Sequence, residues 1–178
     1  GRCVALMDFE RADYREERRI QLEALRKTNT DFVELKGSYP LQKIRAVYRG
    51  CSLYFPAHME SFGLPVCELQ ACGSHVLVPR ASWCDAHRLK AHDGPLPPNF
   101  ICYDNDPAKL ADGIQRIKAD YSAQRVVESF QRHHPHFFRG DLAVLQAFVR
   151  KLESGQIHSR SHQAFQGLTE RIQIRPPD

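Results

Sequence analysis

Cys51-Ser52-Leu53-Tyr54-Phe55 is followed by Pro56-Ala57-His58-Met59-Glu60-Ser61, then Phe62-Gly63-Leu64-Pro65-Val66-Cys67-Glu68-Leu69-Gln70-Ala71-Cys72-Gly73, then Ser74-His75-Val76-Leu77-Val78. The first five residues carry no charge and read as a buried strand. Pro56 to Ser61 is a loop, Phe62 to Cys72 reads as a helix stopped by Gly73, and His75 to Val78 is another short strand. Strand, helix and strand at this spacing form the repeating unit of a parallel sheet covered by helices.

The same alternation extends in both directions. Upstream, Arg2 to Met7 is a strand, and Tyr14 to Lys27 is a charged helix with a thin apolar stripe of Ile20, Leu22 and Leu25. Asp31 to Leu35 is a strand. Pro40 opens a helix through Leu41, Ile44, Val47 and Tyr48 that ends at Gly50. Downstream, Pro79 to Asn99 loses periodicity and holds Gly94, Pro95, Pro97 and Pro98, so it reads as loop with one helical turn near Ala86 to Lys90. Phe100 to Tyr103 is the last strand, and Asp106-Pro107 caps a helix to about Tyr121. Two further helices, about Ala123 to His133 and Asp141 to Leu152, follow without an intervening strand. The expected fold is α/β: a Rossmann-like parallel sheet with helices on both faces and a C-terminal helical extension. Its parts are a core over 1–121, helices packed on the same domain over 122–153, and a poorly ordered or partner-docked tail over 154–178.

Composition narrows the function classes. A chain of 178 residues, 42% apolar, suits one core. It begins Gly1-Arg2-Cys3 and enters a strand at once, so it is expected to be part of a longer protein. No run of 18 apolar residues and no signal peptide is visible. The net charge of +4, from 25 basic and 21 acidic residues dispersed along the chain, does not argue for nucleic acid and suits an anionic ligand or a membrane surface. Six cysteines without a C-x-x-C spacing read as reduced core thiols in a cytosolic setting.

The chemistry concentrates in Glu60 to Glu68. Ligands of open α/β sheets bind beyond the carboxyl ends of the strands. A helix N-terminus there offers N–H donors and partial positive charge to a pyrophosphate, and Gly63 allows close backbone approach. With a helix starting near Phe62, Glu68 lies roughly 9 Å along it, while Glu60 stands on the other side in the loop. Two carboxylates straddling an anion suit a diphosphate with a sugar at each end, one acid on each set of hydroxyls. A glycosidase pair would instead face each other across one cleft at about 5 to 9.5 Å.

Glu60 to Gly73 resembles the Glu, seven residues, Glu signature of group 1 (family 4) glycosyltransferases of the GT-B fold. The run from Val33 to Phe55 and the Asp104-Asn105-Asp106-Pro107 helix start are similar to that family's donor-binding C-terminal domain, so the likeness spans about residues 1 to 120. It implies a nucleoside diphosphate sugar donor and no metal or other cofactor. Glu60 is implied as the catalytic and donor-sugar residue, with Ser61, Phe62, Gly63 and Leu64 at the sugar and diphosphate. Glu68 would hold the ribose, and the Gly37-Ser38-Tyr39 loop would lie against the nucleobase. A retaining transfer is implied, with the acceptor glycan, lipid or small molecule held by a further N-terminal domain, and this segment alone is expected to be inactive. The whole protein is expected in the cytoplasm or at the cytoplasmic membrane surface.

Some positions depart from the family's pattern. Its basic pair for the leaving diphosphate is not found, since Arg2 lies only 58 residues before Glu60. Ser74-His75 replaces a small residue and proline, and Arg80 to Asp85 replaces a glycine-rich turn. A GT-B epimerase, a phosphorylase-like enzyme and a non-catalytic binding subunit are the rival readings. His133, His134 and His136 lack a metal-ligand spacing, Arg15 to Arg19 reads as a solvated face, and Trp83 as packing. Lys43, Arg45 and Arg49 read as solvated, with a basic rim near the nucleobase loop as the alternative.

Overall fold

The computed structural model describes residues 3–57, 63–81, 84, 96–135 and 142–155. It divides into two units, residues 1–138 and 139–178. The first holds five strands, β1 (Val4–Met7), β2 (Asp31–Glu34), β3 (Leu53–Phe55), β4 (His75–Pro79) and β5 (Phe100–Tyr103), and five helices, α1 (Arg15–Lys27), α2 (Leu41–Gly50), α3 (Leu64–Ala71), α4 (Pro107–Ala119) and α5 (Ala123–His133). A 3-10 turn, Ala12–Tyr14, leads into α1. The second unit contributes α6 (Leu142–Glu153), with Phe148 and Val149 exposed.

All strand pairs are parallel, in the order β2-β1-β3-β4-β5. The fold class is therefore the α/β, Rossmann-like arrangement expected. Alternation along the strands sorts side chains to two cores. Ala5, Met7, Leu53, Phe55, Leu77 and Tyr103 face α1 and α4, where Ile20, Ala24, Leu25, Leu110 and Ile114 meet them. Leu6, Tyr54, Val76, Val78 and Phe100 face the other way, against Tyr48 of α2 and Val66 and Leu69 of α3. The inner strands are buried on both faces, as a parallel sheet requires, which explains their apolar sequence, whereas the edge strand β2 carries Asp31 and Glu34 and is largely exposed.

Two end signals work as expected. The Asp106 carboxylate accepts from the N–H groups of Ala108 (2.8 Å) and Lys109 (3.3 Å), capping α4. Gly73 follows α3 with φ +100°, where an added Cβ would stand 2.7 Å from Ala123 Cβ at the start of α5. That residue thus both ends α3 and admits α5 against it.

Four expectations change. Helix α3 begins at Leu64, with Gly63 as its cap in ordinary extended backbone. The stripe of α1 is broader than its apolar residues suggest: Arg18 and Gln21 are buried with Ile20, Ala24 and Leu25, whereas Leu22 is half-buried. Only part of Arg15 to Arg19 is solvated, Arg19 pairing with Glu16 and Glu23 on the surface. On α2, Leu41 is 60% exposed rather than packed. The helical turn expected near Ala86 to Lys90, Trp83, His136 and the 156–178 tail lie outside the described residues.

Candidate functional site

The order of the strands fixes where a ligand crevice opens. From β1 the chain goes through α1 to β2 on one side, then crosses back through α2 to β3 on the other side of β1. The helix after β1 covers one face and the helix after β3 the opposite face. Connections that leave in opposite directions create a gap at the carboxyl ends of β1 and β3, the switch point of an open α/β sheet.

Polar groups floor this gap. Asp8, 7% exposed, follows β1; its N–H donates to the Phe55 carbonyl (3.1 Å), and its carboxylate accepts from the Tyr54 hydroxyl (3.2 Å). Arg18 donates to the Asp8 carbonyl and lies 3.8 Å from Glu34 at the end of β2. Asp8, Tyr54 and Glu34 were not singled out by the sequence reading, and Arg18 was read with its neighbours as part of a solvated face. The available signal was helical phase: Arg18, Gln21 and Leu25 share one face of α1, and a charged residue in phase with buried ones is a candidate for a buried contact.

Glu60, Ser61 and Phe62 lie outside the described residues. Gly63 is buried, and α3 starts on it without a side-chain cap and without an acid in its first turn. The N–H groups of Val66 and Cys67 already turn back to the Gly63 carbonyl (3.0 and 3.3 Å), and Pro65 has no N–H. The N–H groups of Gly63 and Leu64 stand outside the helix's own ladder, at its positive end.

Glu68 is exposed on the second turn of α3, about 7.5 Å beyond Gly63 by helical rise. It lines a cleft of about 200 Å³ between α2 and α3. Leu41, Ile44 and Tyr48 supply an apolar and aromatic wall, while Arg45 and Arg49 bring positive charge to the same cleft. Small-molecule sites run to roughly 300 to 1,000 Å³, so this space is smaller than a whole small-molecule site. Burial, reinforced by the negative charges of Glu68 and Asp8, pushes the Tyr48 hydroxyl up to about 12, so it is a neutral hydrogen-bonding group at any physiological pH. Cys67 and Cys72 are raised by burial first, which leaves them poor nucleophiles. All six cysteines are free thiols.

The Gly37-Ser38-Tyr39 loop runs directly into α2. Gly37 takes φ +69° with open space about it, and the Tyr39 hydroxyl accepts from the Lys36 N–H at 2.9 Å. Tyr39 is half-buried against the second core, and the Lys43 ammonium stands 5.4 Å from its ring centre. Helix α2 therefore joins two of the expected parts, the loop before it and the cleft holding Glu68 beside it. Arg45 and Arg49 are exposed, as the solvated reading expected, and also line that cleft. Among the described residues, no group of three His, Cys, Asp or Glu could hold a metal ion, and no helix is long and apolar enough to cross a membrane.

No protein-family model matches the chain. Over 98 residues, 54% of its length, it is 33% identical to the D-inositol 3-phosphate glycosyltransferase of Streptomyces bingchenggensis (strain BCW-1). The likeness is to a glycosyltransferase. The match takes in 20% of that relative, so the chain corresponds to a small part of it.

Proposed function

We propose that this chain is the donor-binding part of a glycosyltransferase of the GT-B type, taking a nucleoside diphosphate sugar. The observation that carries the reading is Glu68 in a small cleft beside α2, on the second turn of a helix whose uncapped N-terminus lies close in sequence to the switch point. In this reading the Glu68 carboxylate accepts from the ribose hydroxyls and the Gly37-Ser38-Tyr39 loop meets the base. The N–H groups at Gly63 and Leu64, with Ser61 and Phe62, hold the diphosphate, and Glu60 reaches the sugar. The partial glycosyltransferase likeness supports the same assignment.

The chemistry proposed is breakage of the bond between the anomeric carbon and the diphosphate oxygen, with transfer to an acceptor hydroxyl that loses its proton. The anomeric configuration is retained and no metal is used. Helix α3 stabilises charge as it develops on the leaving diphosphate, a preorganised electrostatic contribution. The acceptor, whether glycan, lipid or small molecule, is held by another part of the protein, which supplies the remaining orientation. The setting proposed is the cytoplasm or its membrane face.

Calorimetric titration with UDP, GDP, ADP and free uridine tests this, repeated with Glu68→Ala. Loss of hydrogen bonds to a charged group should weaken binding of the preferred nucleotide by about tenfold to a hundredfold. Absence of saturable binding by any of the four, with the chain shown to be folded, would sink the assignment.

A further inference from the structure

Arg18 raises a question the donor site does not answer by itself. It is 7% exposed, and a buried guanidinium is costly unless its donors are used. One arm donates to the Asp8 carbonyl, but Nη1 is buried with no hydrogen-bond partner, its nearest acid being Glu34 at 3.8 Å. A buried charge so thinly paired adds little to stability, and an apolar side chain of similar volume would often serve the fold as well.

What Arg18 does provide is a connection. The register sets Met7 beside Glu34, so the carboxyl ends of β1 and β2 are adjacent under α1, and Arg18 spans them. From Glu34 the connection continues: its other oxygen is 3.1 Å from the Lys36 ammonium, and the Lys36 N–H donates to the Tyr39 hydroxyl at 2.9 Å. A Cβ at Gly37 would meet nothing within 4 Å. Apart from the packing of Tyr39, polar links rather than close contacts therefore hold this loop.

We propose that Arg18 is a positioning residue that, through Glu34, holds the Lys36 to Tyr39 loop in the pose that receives the nucleobase end of the donor. The nucleobase role rests on the donor-site reading given above; the positioning of the loop does not. Arg18 touches no ligand in this scheme. It sets the geometry of a loop on a neighbouring strand while contacting the backbone at the switch point, and so ties the two ends of the site together.

The test uses the whole chain with Arg18→Lys, Glu34→Gln and the double variant. Glu34 is the gentler change, since its side chain is 23% exposed. Exchange of the Lys36 amide is followed by NMR without ligand, beside the core amides of Leu6 and Val76, and dissociation constants are then measured for UDP, GDP and ADP. Expected are Lys36 exchange about tenfold faster in each variant with the core amides unchanged, and binding about threefold to tenfold weaker, the scale of one hydrogen bond. The double variant should be no worse than the worse single one, because both break the same link, whereas Glu68→Ala should multiply with either. Unchanged Lys36 exchange in Glu34→Gln, or acceleration in step with Leu6 and Val76, overturns the proposal. If the wild-type chain binds none of the three nucleotides, the donor reading fails and the exchange measurement alone decides whether Arg18 positions the loop.

Discussion

Gly73→Ala is the substitution whose effect follows most directly from the structure. Gly73 holds φ +100°, a conformation that costs a residue with a Cβ about 1 to 2 kcal/mol. The new methyl would stand 2.7 Å from Ala123 Cβ and 2.9 Å from Ala123 Cα, and α5 would have to shift. Such overpacking typically costs about 1 to 3 kcal/mol, while the reduced freedom of the unfolded chain returns about 0.4 to 1 kcal/mol. The expected loss is about 1 to 4.6 kcal/mol. Gly37→Ala is the internal control: φ is +69° but the space is open, so only the backbone contribution applies and the net loss is about 0 to 1.6 kcal/mol. Urea unfolding with a common m-value reads both directly. Adding Ala123→Gly removes the nearest atom and should recover part of the Gly73→Ala deficit, leaving the backbone contribution and the close approach to the Cα of residue 123. Equal midpoints for the two glycine variants, or no recovery in the double variant, would refute the reasoning about α3 and α5.

Two other outcomes can be stated. Burial holds the His75 imidazole neutral by lowering its pKa below the ordinary 6.5, and its Nδ1 is buried without a partner; below that pH the unfolded chain takes up a proton the folded one refuses, so stability falls as pH drops through 6.5 toward the depressed folded value. His75→Gln should flatten this part of the stability profile, and an unchanged slope between pH 7 and 5 would exclude His75 as its source. The Lys118 ammonium donates to the carbonyls of Thr28 (2.7 Å) and Asn29 (3.2 Å) and to the Thr30 hydroxyl (3.2 Å), tying α4 to the turn after α1. Lys118→Met should lower stability by about 1 to 3 kcal/mol, and a midpoint equal to wild type would show these bonds to be exchanged for water without loss.

The elements were legible where local chemistry decides them. Apolar runs gave the strands, Gly73 the stop of α3, and Asp106-Pro107 the start of α4, because backbone freedom and capping act within a few residues. Strand order was not legible: nothing in the apolar pattern says that β3 lies on the far side of β1 from β2, and that order creates the switch point over Asp8. Buried charge was misread for a related reason. Arg18 sits in a charged run, and only its phase relative to Gln21 and Leu25 distinguishes it from Arg19. In the candidate site, Glu68 was found through its motif, whereas the wall that makes its surroundings a cleft comes from α2, twenty residues earlier and adjacent only in three dimensions.

The place of β1 has a kinetic consequence. It pairs with β2 about one helix away in sequence, Val4 beside Asp31, but its other edge waits for Leu53 to meet Ala5, 48 residues further on. Every ladder in the sheet is non-local, and closing such loops precedes the gain from burying them. A chain emerging from the ribosome can dock β1, α1 and β2 early, yet it leaves one edge of β1 open until β3 has been made. During that interval Ala5, Leu6 and Met7 form a short unpaired apolar edge, the kind of surface on which chains pair with one another.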